Sequence, residues 1–123
     1  MAGRKCKIHA VDPHMGYDGK STLREFKENI RRAGVSSMII PIVKTSKEAA
    51  KNFNKPVGII FIDGSHEYDD VMLDFELWFP KISEGGIMAF HDTIGYDGPR
   101  KVVNNLVYKS KYFRKIRLFN SID

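Results

Sequence analysis

An α/β fold, with a mostly parallel sheet and helices on both faces, is what this sequence predicts. Short β-branched apolar runs alternate with segments of helical periodicity, the spacing of successive strand–helix–strand crossovers. Most strand candidates end in acids or are bounded by glycine and proline. One run, "VGIIFID" from Val57 to Asp63, is apolar without alternation, the pattern of a central strand covered on both faces.

Lys7 to Asp12, "KIHAVD", reads as a strand closed by Pro13, whose ring disfavours helix at the preceding residue. "HMGYDGKS" is a loop. Thr22 and Glu25 fit a capping box, and Leu23, Phe26, Ile30 and Ala33 recur at helical spacing until Gly34. "SMIIPIVK" is a strand whose Pro41 lacks a ladder donor, which predicts an edge or a bulge. Thr45 and Glu48 fit a second capping box, opening a short helix that ends near Asn54, before Pro56. After the Val57–Asp63 strand, Val71, Phe75, Trp78 and Ile82 form one apolar helical stripe, with Trp78 in the core. "EGG" is expected to break that helix, "IMAFHD" to form the next strand, and Pro99 to sit in the first turn of a new helix. "KIRLF", residues 115–119, is the last strand candidate.

A chain of 123 residues supports one domain, and 42% hydrophobic residues are enough for a core. The single Cys6 excludes a disulfide framework and a cysteine-based zinc cluster, so the expected compartment is the cytoplasm. No apolar stretch approaches the ~20 residues that cross a bilayer, and the first residues lack a signal-peptide core. The net charge of +5 is concentrated: Gly98 to Ile122 holds seven basic residues and no acid. No nucleic-acid-binding motif accompanies that basic stretch, which reads as a solvated helix face, and no nucleic-acid partner is expected.

The chemistry lies at the strand ends. Asp12, Asp63 and the pair His91–Asp92 each close a strand, and parallel strands point their carboxyl ends to one edge, where ligands bind. Each acid alone also has a structural reading, because aspartate forms tight turns and caps helices; three together favour a site. Two carboxylates and an imidazole suit a divalent cation such as Mg2+, which could hold a hydroxylated substrate. His91 could instead be a general base. Spacing alone leaves both open.

"AVDPHMG", "STLREFKENIRRAGV", "IIFIDGSHEYDDVMLDFELWFPKISEGGIMAFHD" and "GPRKVV" resemble the class I S-adenosylmethionine-dependent methyltransferases. The nearest group is methyltransferase domain 24, related to the macrocin O-methyltransferase and cephalosporin hydroxylase group. The resemblance spans nearly the whole chain and is most specific from Ile59 to Asp92. It implies a Rossmann-like fold and O-methyl transfer from S-adenosyl-L-methionine to a small-molecule or sugar hydroxyl. Asp12 would bind the cofactor ribose, with Pro13, His14 and Asp63 also in the cofactor site. Asp63, His91 and Asp92 occupy the positions of metal ligands in metal-dependent relatives, although His91 replaces an oxygen donor there, which leaves open a metal-free mechanism. The implied catalytic residues are Asp63, His91 and His66, the last as a candidate base.

In family terms the chain begins just before the second strand, since "MAGRKC" cannot encode the first strand and its glycine-rich loop. It also stops before the last antiparallel strand. The expectation is therefore a partial class I methyltransferase domain over residues 1–123 with weakened cofactor binding, in which family strands two and four pair directly, a partner strand or a second copy completes the sheet, or the sheet remains strained and marginal. The alternatives are a non-catalytic module associating through that sheet and, more distantly, a metal-assisted hydrolase using Asp63 and Asp92.

Overall fold

The computed structural model describes residues 6–114. It is a mixed α/β structure with four strands in two parallel pairs and four α-helices. The chain divides between Asn52 and Phe53 into two compact units.

In the first unit, β1 (Ile8–Val11) runs parallel to β2 (Ile39–Ile42), from Ile8 opposite Ile39 to Val11 opposite Ile42. Pro41 lies opposite Ala10, and among the described residues β2 pairs with β1 alone, as its missing donor requires. The crossover contains α1 (Leu23–Arg32), where Leu23, Phe26 and Ile30 are half-buried and Ala33 beyond it is exposed. Its capping box does not form. Thr22 makes no side-chain bond to the helix; its hydroxyl lies 3.2 Å from His14 Nδ1, and Ser21 Oγ accepts the Leu23 N–H instead. At the other end, Gly34 N–H meets the Arg31 carbonyl and Val35 N–H the Ile30 carbonyl, the paired bonds of a Schellman stop. The second capping box does form, in front of α2 (Ser46–Asn52). Glu48 accepts from the Thr45 N–H and hydroxyl at 3.0 and 2.8 Å, while Thr45 Oγ1 accepts the Glu48 N–H.

In the second unit, β3 (Val57–Ile62) and β4 (Ile82–Phe90) are parallel. Helix α3 (Tyr68–Trp78) links them, followed by a 3₁₀ turn at Phe79–Lys81. Helix α4 (Asp97–Val102) continues into a π-helical stretch, Val103–Val107. Ile60, Ile62, Val71, Phe90, Val102, Val103 and Val107 form the core, with Phe75 and Trp78 packed against it.

Three expectations are corrected here. β3 is not buried on both faces: Ile60 and Ile62 face the core, whereas Ile59 is 69% and Phe61 52% exposed. Across the ladder Ile87 is 57% exposed as well, so among the described residues the helices cover one face of this pair rather than two. The apolar run reflects hydrophobic side chains on both faces, which does not by itself supply a layer to cover the second.

The third correction concerns "EGG", which does not break the helix. α3 has already ended at Trp78 before Pro80, and Glu84–Gly86 lie inside β4 as a bulge between the Val57–Ile82 and Ile59–Ile87 pairs. Gly85 has φ +74°, which favours glycine. A Cβ on Gly86 would meet Ile82 Cγ1 at 2.5 Å and the Ser83 carbonyl at 2.8 Å. The expected strand at 115–119 lies outside the described residues.

Candidate active site

Parallel pairing is what assembles the site. Ile62 lies opposite Phe90, so the next residues, Asp63 and His91, leave the two strands side by side, and His91 N–H donates to the Ile62 carbonyl at 2.9 Å. Asp92 then turns the chain with φ +59°. The small open pocket there has a floor of Ile62, Val71 and Phe90.

Four polar side chains form a connected row. His66 Nε2 lies 2.8 Å from Asp92 Oδ2, and His91 Nδ1 lies 2.9 Å from the same oxygen and 3.2 Å from Asp63 Oδ1. The buried Nδ1 of His91 has no aligned hydrogen bond: both carboxylates crowd it at ion-pair distance without hydrogen-bond geometry. The Asp92 carboxylate against this nitrogen raises the imidazole pKa above its ordinary value, opposed by desolvation and assisted by the charge of Asp63. Reciprocally, His91 first, and His66 after it, hold the Asp92 carboxyl below the usual carboxylate range against desolvation. Asp92 is therefore ionised at neutral pH and can only accept. The His66 Nε2 that meets it donates, so in a neutral imidazole the lone pair is on Nδ1.

Two residues that sequence reasoning did not single out hold His66. The Tyr96 ring stacks on the imidazole at 3.7 Å between centroids and 21° between planes. Gly98 lies so close that a Cβ there would overlap the His66 carbonyl oxygen. Their sequence signal is weak: "YDGP" reads as a turn into a helix, and a ring stack depends on how two loops fold. Asp12 and His14 lie in the first unit. Asp12 Oδ1 accepts the His14 N–H at 2.6 Å, and both Asp12 and Pro13 are exposed. His14 is buried, 4.9 Å from the Phe26 ring, with φ +54°.

As a metal cradle, Asp63, His91 and Asp92 each offer one donor atom, all within 4.8 Å of one another. The unbonded His91 Nδ1 among them is the donor such a site needs, so the residues fit a divalent ion. No helix among the described residues is long and apolar enough to cross a membrane.

The chain is 32% identical over 83 residues to uncharacterized protein y4gI of Sinorhizobium fredii (strain NBRC 101917 / NGR234), a match covering 67% of this chain and 9% of that protein. It is 32% identical over 69 residues to uncharacterized protein R132 of Acanthamoeba polyphaga mimivirus, covering 56% and 28%. The chain thus spans a small part of the length of these relatives. The family described as "Methyltransferase domain", number 24 of that name, matches residues 2–93, a stretch containing Asp12, Asp63, His66, His91 and Asp92. The chain accordingly belongs to this methyltransferase family, within the class I S-adenosylmethionine-dependent methyltransferases.

Proposed function

We propose that this chain takes part in S-adenosylmethionine-dependent O-methylation of a hydroxyl on a small molecule or sugar. The observation that carries the proposal is the His66–Asp92–His91–Asp63 row at the strand ends of a chain matching a methyltransferase family. Bound S-adenosylmethionine supplies an electrophilic methyl group on a sulfonium centre. Asp12, beside Pro13 and His14, is the residue proposed to bind the ribose hydroxyls, and Asp63 is proposed to face both cofactor and acceptor. Asp92 fixes the His66 tautomer, and His66 Nδ1 receives the proton that the acceptor hydroxyl gives up. Asp63, His91 and Asp92 would hold a divalent cation that orients that hydroxyl and lowers its pKa.

The test is release of S-adenosylhomocysteine when the chain is incubated with S-adenosylmethionine and a panel of polyhydroxylated acceptors. His66→Gln is expected to slow that release by roughly 10²–10⁴-fold, the usual range for general acid–base catalysis. Absence of S-adenosylmethionine binding at millimolar concentration in calorimetry overturns the proposal for this chain.

A second reading has its own observation. The exposed Ile59, Phe61 and Ile87 on one face of β3–β4 support a non-catalytic module that associates through its incomplete sheet, with a partner or a second copy of the chain packing on that face.

A further inference from the structure

The donor types at the strand ends discriminate between cations. Mg2+ takes oxygen ligands in a near-ideal octahedron and gives up water reluctantly. Imidazole nitrogen suits transition ions such as Zn2+. In Asp63, His91 and Asp92 the three donors are two carboxylate oxygens and one ring nitrogen.

The nitrogen is the informative atom. His91 Nδ1 is buried from solvent, has no hydrogen-bond partner among the described residues, and sits 2.9 Å from Asp92 Oδ2 and 3.2 Å from Asp63 Oδ1. In the metal-free chain the two carboxylates compensate a proton on this nitrogen; a cation set between the same three groups would take that proton's place. Two ligands each about 2.1 Å from a shared ion stand no more than about 4.2 Å apart, so side-chain shifts of under about 1 Å bring this cluster onto one centre. Outer support is already present, because His66 Nε2 donates to Asp92 Oδ2 and ligating carboxylates are commonly held by such a bond.

We infer that this cluster selects a divalent transition ion of the Zn2+ class over Mg2+, with His91 Nδ1 as the selecting ligand. The inference rests on the reading of Asp63, His91 and Asp92 as a cation site and adds the chemical class of the cation. Oxygen donors alone would leave the choice to charge and size; the imidazole adds a softer donor that Mg2+ binds poorly.

The test uses Zn2+, Mg2+ and Co2+ chlorides, the last as a spectroscopic stand-in for Zn2+, titrated into the chelator-treated 123-residue chain. Transition ions bind most mixed nitrogen and oxygen sites more tightly than Mg2+, so the deciding quantity is how the preference changes when the nitrogen is removed. His91→Asp is expected to lower the ratio of the Mg2+ to the Co2+ dissociation constant by roughly tenfold or more, as the softer donor is lost. It should also abolish the paramagnetically shifted, exchangeable ring N–H resonance of the Co2+-loaded chain. His91→Asn supplies an uncharged oxygen and should lower the ratio too, which separates donor type from added charge; circular dichroism verifies that each variant is folded. An unchanged ratio in both folded variants overturns the inference. So does a chain that binds S-adenosylmethionine but none of the three ions. Loss of S-adenosylmethionine binding with ion selectivity intact overturns the methyl-transfer proposal and leaves this one standing.

Discussion

His91 and Asp92 set each other's charge, and that coupling has a defined pH window. The folded-state pKa of His91 is raised above 6.5, so its contribution to stability is complete below 6.5 and is lost as pH rises through the raised value. The Asp92 carboxyl is lowered from 3.8, so its contribution is present above 3.8 and is lost as pH falls through the lowered value. The pair therefore supports the metal-free fold most between pH 3.8 and 6.5. Urea midpoints of the parent chain and His91→Gln should differ most inside that window and converge on either side. At this scale the sequence carried Asp63, His91 and Asp92, because parallel strands bring their ends to one edge whatever the loops do. His66 was a candidate base from the resemblance, but the groups that hold it were not readable, since its stack on Tyr96 and its fit against Gly98 arise from the path of two loops.

Secondary-structure elements show how far a local motif reaches. Thr22–Glu25 and Thr45–Glu48 have the same capping-box spacing, yet only the second closes. The difference is tertiary: the first hydroxyl is turned toward His14. Thr45→Ala should destabilise the chain by about 1 kcal/mol, the usual cost of a lost N-cap. Thr22→Ala should lose no cap bond, so in urea titrations its effect follows the His14 contact alone. Helices α1 and α2 were readable from their periodicity and end signals. The end of α3 was not, because Pro80 stops it before the glycines do.

For the whole molecule, the uncovered face of β3–β4 is the feature that sequence reasoning missed. An apolar run reports side-chain character, whereas burial requires a second layer, and among the described residues that layer covers one face only. If a partner or second copy packs on that face, Ile59→Thr with Phe61→Thr should change monomer stability by no more than about 0.5 kcal/mol per site, as exposed substitutions usually do. The same variant should shift the mass measured by light scattering toward the monomer at high concentration. A parent chain that is already monomeric there removes the second reading.

The bulge in β4 has an arithmetic consequence. Between its flanking pairs β3 advances two residues and β4 five, an excess of three. Because side chains alternate along a strand, an odd excess inverts the parity of everything downstream. Downstream of the bulge, Met88 and Phe90 meet the core beside Ile60 and Ile62, while Ile87 and Ala89 fall opposite Ile59 and Phe61. Deleting one of the two glycines would make the excess even. Phe90 would then turn outward, or the strand would slip by one and carry His91 out of line with Asp63.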